Sequence, residues 1–478
     1  MPGLFSALDA SSGTLDAYER ALDVTQNNVS NSSTPGYASQ TALFDPLPFD
    51  PVDGPSGGVQ FGGTQDMRDE SAERYVQQQF SDLGLSEQMV SSLSSVEPAF
   101  DVTGQTGIDA EMNQFFQSFS ALSANPNDPT AQQQAISAAQ SVAASFKDAS
   151  SSLEQASASA DQQIQTTISQ INNDAAQIQS LNQKIADSPQ PDANLQASLH
   201  STLESLSELV NFTTSFAPNG SVSVLIGGQT PLVLGTTVDP ISSGLAPSNP
   251  NAAYPGGTPA QMITDQNGQD ITQQITGGNL AGLLQVRNVV LPGIIGDTTQ
   301  QGTLNQLAQS FVDRVNTLLT NGEISAGPPA VPGVTMFQYD ATNPTTIAKT
   351  LATTSITADQ IASIDPGPPY SANGTAQAIA NLATSSSPAD QINGQTFAQF
   401  YGQIASAFGL QISNAQTEQQ TQTQTLAQAR NLRSQVSGVS LDQEAVQLIE
   451  FQRAYEATSK LVTVLDDLTQ TTINLIPS

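Results

Sequence analysis

The two ends of this chain carry apolar residues spaced for a helical seam, and that placement constrains the fold more than any other feature. At the N-terminal end, Leu4, Leu8, Leu15, Tyr18, Leu22 and Val29 follow at intervals of four, seven, three, four and seven residues. At the C-terminal end, Leu441, Leu448, Tyr455 and Val462 repeat every seven residues, with Phe451, Thr458 and Leu465 beside them. Such spacing lines up one narrow apolar stripe per helix, as in a coiled coil. The segments are roughly 30 and 35 residues long by this pattern, and a pair of that kind buries too little surface to be firmly ordered alone. The expectation is that they pair, order weakly in an isolated chain, and polymerise with copies through the exposed seam.

The N-terminal stripe runs into NNVSNSSTPGY. Asn27, Asn28 and Asn31 tolerate left-handed backbone, and Pro35-Gly36 before Tyr37 suits a type II turn. Residues 44–66 are rich in Pro and Gly without periodicity and read as a linker arm. Helical pattern resumes over 67–124, breaks at NPNDP, and continues as a long polar amphipathic run over 130–187 with Ile164, Ile168, Ile171, Ile178, Leu181 and Ile185 on one face. At 211 the period changes to strand-like alternation, with turn signals at Asn219-Gly220 and Gly227-Gly228. Helical pattern returns at 279–320 and 394–437, separated by a Pro- and Gly-rich stretch with short strand-like pieces.

The predicted fold is therefore mainly α with an inserted β-rich domain, built as a long helical bundle from both ends of the chain plus terminal coiled-coil segments. The expected divisions are a terminal assembly domain (1–43 and 438–478), the arm (44–66), a bundle (67–210, 280–320 and 391–437) and a β-rich outer domain (211–279 and 321–390).

Chemistry is sparse. The net charge is −31 with only 12 Lys and Arg, which disfavours nucleic acid and anionic membrane surfaces. There is no cysteine, so disulfides and thiolate metal sites are excluded. The single histidine, His200, lies in a helical stretch and reads as a solvated or partly buried helix residue; without it no Ser–His–Asp triad can form. DQNGQD (265–270) has half the look of a calcium loop but lacks the closing glutamate, so a hairpin turn is favoured. GGNLAGLL (277–284) opens a helix without dinucleotide spacing. No catalytic, cofactor-binding or metal site is expected. The N-terminus lacks the basic and apolar regions of a cleavable signal peptide. Ser440 with Gln443 or Glu444 suggests a helix start at the last segment.

ALDVTQNNVSNSSTPGYASQ (21–40) resembles the N-terminal signature of flagellar axial proteins, and VSLDQEAVQLIEFQRAYEATSKLV (439–462) resembles their C-terminal one. Three internal stretches, LSANPNDPTAQQQAISAAQSVAASF (122–146), VSVLIGGQTPLVLG (222–235) and GGNLAGLLQVRNVVLPG (277–293), resemble the first hook-associated protein family in particular. This resemblance implies a structural adaptor joining hook to filament, exported unfolded by the flagellar type III route to the cell exterior. It implies as partners copies of itself in a ring, the hook protein, the second hook-associated protein, and a cytoplasmic chaperone on the C-terminal helix. Another axial subunit, or an extracellular enzyme or adhesin on an axial scaffold, is the alternative.

Overall fold

The computed structural model describes residues 2–47, 57–100, 106–188, 192–325, 327, 329–367 and 369–474. Helix α1 (Pro2–Ser30) leads into strands β1 (Gln40–Pro46) and β2 (Val59–Asp66). Helices α2 (Glu70–Ser94), α3 (Gly107–Ala124), α4 (Pro129–Asp187) and α5 (Ala193–Leu209) follow. Next come strands β3 (Phe212–Phe216), β4 (Val222–Ile226), β5 (Thr230–Leu234), β6 (Thr237–Val238), β7 (Ser242–Leu245) and β8 (Gln261–Thr264). Helix α6 (Gly278–Gln285), a π-helical turn (Val286–Val290), α7 (Leu291–Ile295) and α8 (Thr303–Asn321) precede strands β9 (Glu323–Ser325), β10 (Val331–Pro332) and β11 (Phe337–Gln338). After α9 (Ile347–Thr350), strand β12 (Ala352–Thr353) and α10 (Gly374–Asn381), two long helices close the chain, α11 (Phe397–Ser437) and α12 (Leu441–Asn474). The chain is mainly α with small β elements, and among the described residues no helix is long and apolar enough to cross a membrane.

Local chemistry sets the helix starts. Asp69 caps α2 by accepting from the backbone N–H groups of Ser71 and Ala72 at 2.9 and 2.8 Å. Asp128 accepts from Thr130 N at 2.9 Å with Pro129 as the first helical residue, and Asp192 accepts from Asn194 N at 2.8 Å. Each side-chain oxygen takes a donor that the first turn cannot satisfy internally.

The chain divides into two compact units. One comprises 1–83, 170–240 and 422–478; the other comprises 84–169 and 241–421. In the first, β3–β4–β5–β6 form an antiparallel sheet, with Gly227-Gly228 turning β4 into β5. Asn182 of α4 ties that sheet down: its amide donates to Val222 O at 2.7 Å and Gly235 O at 2.6 Å and accepts from Val222 N at 2.9 Å.

The second unit holds a large apolar core drawn from α3, α4, α8, α10 and α11. Phe311 is fully buried at its centre, 5.4 to 5.9 Å from the rings of Phe115, Phe116, Phe337 and Phe397. Edge-to-face geometry dominates these contacts, as the ring quadrupole favours. Gly282 has a steric role: a β-carbon there would sit 2.7 Å from Leu85 O, so α6 lies against α2 only because the side chain is absent.

Three expectations need correction. The linker arm is not an arm: Gln40–Pro46 and Val59–Asp66 pair in an antiparallel hairpin with a bulge at Leu43/Phe44, and its alternation is obscured by Pro and Gly; residues 48–56 of the arm lie outside the described residues. The expected β-rich outer domain is divided, since residues up to 240 belong to one unit and those from 241 to the other, and 321–390 contributes only two-stranded pieces among helical turns. The expected helical bundle of 67–210, 280–320 and 391–437 is likewise shared between the units, and 279–320 is interrupted between Ile295 and Thr303. Short apolar runs announce burial but not which neighbour buries them, so domain limits could not be read from them.

Replacing Phe311 by Ala should cost about 3–5 kcal/mol through lost burial and an unfilled cavity. Urea unfolding followed by circular dichroism checks this; a change under ~1 kcal/mol would show that the aromatic cluster does not hold this core.

Candidate functional site: the terminal helix layer

Helices α1 and α12 pack against each other, and the β1–β2 hairpin packs on α1. Tyr18, Phe44 and Phe451 bring the three elements together, with ring centroids 5.7, 5.8 and 6.5 Å apart. Thr14 Oγ1 accepts from Val59 N at 3.3 Å and so fastens the second strand to α1.

The stripe residues Leu4, Leu8, Leu15, Tyr18 and Leu22, and opposite them Leu448, Phe451, Tyr455, Val462 and Leu465, are half-buried. Val29 and Leu441 are not brought into the seam; they are 41% and 55% exposed. The fully enclosed row of α1 is instead Ala17, Ala21, Thr25 and Asn28, small residues four, four and three apart. That spacing was present in the sequence, but a reading that counted only large side chains passed over it. On α12 a second apolar row, including Val446, Ile449, Leu461, Val464 and Leu468, is about half exposed.

The turn motif supplies the lock. Asn28 is completely buried. Its Nδ2 donates to Gln40 O at 2.8 Å and to Glu444 Oε1 at 2.9 Å. Its Oδ1 accepts from Tyr37 Oη and from Gln40 N, both at 2.9 Å. The backbone N–H of Gln40 can only donate, which fixes the amide orientation. One side chain thereby joins α1, the turn, β1 and α12. Asn31 acts more locally, its Nδ2 donating to Asn27 O at 3.0 Å and its Oδ1 accepting from Thr34 Oγ1 at 3.1 Å.

Tyr37 N donates to Thr34 O across Pro35 and Gly36 at 3.2 Å, closing the expected turn. Gly36 has φ +72°, and a β-carbon there would lie 2.5 Å from Ala197 O, so both conformation and space demand glycine. Burial and the carboxylates of Glu444 and Asp66 push the Tyr37 phenol up to about 12, which keeps it protonated as a donor.

Beyond the turn, Ser39 N donates to Ser437 O at 2.9 Å and Met67 N to Ser39 O at 2.9 Å. Arg68 donates to Gly36 O at 2.7 Å and pairs with Glu73 at 2.7 Å. Arg433 of α11 bridges Glu73 at 3.2 Å and Glu204 of α5 at 2.7 Å. Arg68 and Gln40 were not singled out from sequence, since neither belongs to an apolar stripe or a catalytic or metal pattern, and the partner of Glu444 lies 416 positions away. Glu444 in particular looked like part of a helix start, yet it turns inward to Asn28.

The other candidate motifs are structural. Asp265 Oδ1 accepts from the N–H groups of Asn267 and Gln269 at 2.9 and 2.8 Å, a turn closed on itself. Among the described residues no group of three or more His, Asp or Glu is arranged to hold a metal ion.

Two tests follow from the lock. Asn28→Ala should cost on the order of 3 kcal/mol, because it leaves several buried donors and acceptors unpaired; hydrogen exchange of 20–40 should accelerate accordingly, and unchanged exchange would show that the amide is not needed. Burial raises the Glu444 carboxyl above its ordinary 4.5, with hydrogen bonds from Asn28 and Ser39 opposing. A carboxyl so raised stabilises the fold fully below 4.5, and that contribution is lost as pH rises through its folded value. Glu444→Gln should therefore protect the α1–α12 contact at pH 7 at least as well as the native residue, with the difference vanishing below pH 4.5.

The chain was compared with known proteins. The family described as "Flagellar hook-associated protein FlgK helical domain" matches residues 93–337. The family described as "Flagellar basal body rod FlgEFG protein C-terminal" matches 433–475, which covers the end of α11 and α12. Flagellar hook-associated protein 1 of Bacillus subtilis is 26% identical over 99% of both chains. Its namesake in Escherichia coli is 24% identical over 63% of this chain and 55% of its own length. The fold is similar to that of the flagellar hook junction protein FlgK from Burkholderia pseudomallei, with a TM-score of 0.64, 16% identity, and coverage of 76% of this chain and all of that one. The basal-body match alone would fit several axial proteins, whereas the helical-domain match spans more than half of this sequence: the chain belongs to the flagellar hook-associated protein FlgK family.

Proposed function

We propose that this protein is a structural adaptor of the bacterial flagellum that joins hook to filament, and that it performs no catalysis. The observation that carries the reading is the terminal layer, in which α1 and α12 pair in the chain while the Val446, Ile449, Leu461, Val464 and Leu468 row of α12 is left without cover. An apolar row of that length on a water-soluble surface calls for partners. Copies of the same chain supply it in a ring, with the hook protein on one side and the second hook-associated protein on the other. Family membership supports the flagellar setting.

In this reading the terminal layer orders fully only on assembly. Interface area gained between copies offsets the entropy of ordering two thin segments. Before export, a cytoplasmic chaperone covers the C-terminal helix, and the chain leaves by the type III route to reach the junction outside the cell. The seam residues Leu4, Leu8, Leu15, Tyr18, Leu22, Leu448, Phe451, Tyr455, Val462 and Leu465 form the intrachain half of the layer. Leu441 and Val29, exposed within one chain, belong with the surface offered to neighbours.

Immunolabelling of intact flagella should give one band where hook meets filament; label along the filament or hook would displace the proposal. Val464→Asp with Leu468→Asp should leave the unfolding midpoint nearly unchanged, since exposed substitutions typically shift stability by about 0.5 kcal/mol or less. The same variant should fail to attach filaments in motile cells. Normal motility with this variant, or after deletion of 1–40 or 440–478, would overturn the assembly role of the termini.

A further inference from the structure

The one histidine of the chain stands in an unusual place. His200 of α5 is 4% exposed, and its ring stacks on Phe216 of β3 at 5.5 Å with planes 13° apart. Its Nδ1 has no hydrogen-bond partner. A polar cavity of about 220 Å³ opens beside it, lined by Gln77, Thr214 and Ser215 as well as charged groups.

The charged side chains of the cavity wall come from α2, while β3 contributes only neutral ones. From α2 come Glu70, Glu73 and Arg74. Ion pairs extend from Glu73 to Arg68, which also pairs with Asp66, and to Arg433 of α11, which shares Glu204 of α5 with Arg430. The Tyr37 phenol of the adjacent turn is engaged by Asn28. The cavity wall and the ion pairs joined to it hold four carboxylates and four guanidinium groups, and His200 adds no charge while it is neutral. The same charges link the parts of the joint: Arg68 holds Gly36 O, and Arg433 ties α11 to α5 and α2. A proton on the ring would add an unbalanced cation to a side chain that is 4% exposed, beside the Arg68 and Arg433 guanidinium groups.

We propose that this joint is a proton-sensitive latch, in which protonation of His200 loosens the 34–37 turn and the end of α11 from α5. The cavity gives the charged ring somewhere to move and water somewhere to enter. The direction of the response is fixed by the surroundings. Burial first, then Arg68 and Arg433, hold the imidazole well below its ordinary 6.5. A base so depressed supports the fold above 6.5, and the support is lost as pH falls below that value. The Glu444 carboxyl responds in the opposite sense, so the sign of the pH effect separates the two. The latch does not depend on the adaptor role and stands or falls separately from it.

The test uses the full chain. Hydrogen exchange, corrected for intrinsic rates, is followed in peptides covering 34–40, 197–205 and 428–437 from pH 7.5 to 5.5. Wild-type protection should fall about tenfold between pH 7.5 and 5.5, the change expected when the opened state takes up a proton at the ordinary imidazole value and the closed state does not. In His200→Gln the fall should be less than twofold, whatever the absolute protection of the variant. An equal fall in both proteins, or one equally large in the 303–321 peptides, overturns the latch. Because the chain has one histidine, its imidazole resonance needs no assignment, and an NMR titration gives a second reading even where the variant folds poorly. Titration below 6.5 supports the latch; titration at or above 6.5 overturns it.

Discussion

Asn28 uses both amide protons and both lone pairs of its side-chain carbonyl on partners in three other segments, the turn, β1 and α12. A buried amide with any of these bonds missing would be a liability, since an unpaired polar group inside a protein costs more than a made bond contributes. The constraint therefore acts on register. Sliding α12 by one residue along α1 would take Glu444 away from Asn28, and moving the turn would strand Gln40. The apolar seam alone would accept such shifts, because it consists of similar side chains at similar spacings. The amide fixes which of the near-equivalent pairings is the real one, much as a single polar residue fixes register in a coiled coil.

Packing in the two units follows different chemistry. The unit that contains α3, α8 and α10 has a conventional aromatic core around Phe311. The unit that contains the chain ends buries Leu199, Leu203, Val222, Val224 and Ile226, and adds a three-ring cluster, a row of small residues on α1 and the Glu73–Arg433–Glu204 network. With charged residues only 12% of the chain, concentrating seven of them around Glu73 and His200 is a marked use of a scarce resource. The half-buried seam of α1 and α12 suits the proposed role, in which neighbours would complete the layer.

Much of this fold was legible from local pattern. The helix at 130–187 was visible because its isoleucines hold one face for many turns, and α4 runs Pro129–Asp187. The strands after 211 were visible from alternation and paired glycines. The hairpin at 40–66 was not, because its strands carry Pro46, Gly62 and Gly63, residues that lower strand signal wherever they occur. The same limit hid the polar lock. Asn28 was noted as a turn residue, but its partner Glu444 stands 416 positions away.

By itself, then, the sequence determined the helical stripes at both ends, the Pro35-Gly36 turn, the absence of thiol chemistry and the family signatures, since each depends on residues near one another in the chain. Only the tertiary structure decided which apolar row is covered and which is left open, and that His200 is buried beside a cavity with charged walls. Burial and electrostatic surroundings are properties of what comes together in space, and periodicity along a chain carries no information about what arrives from the other end.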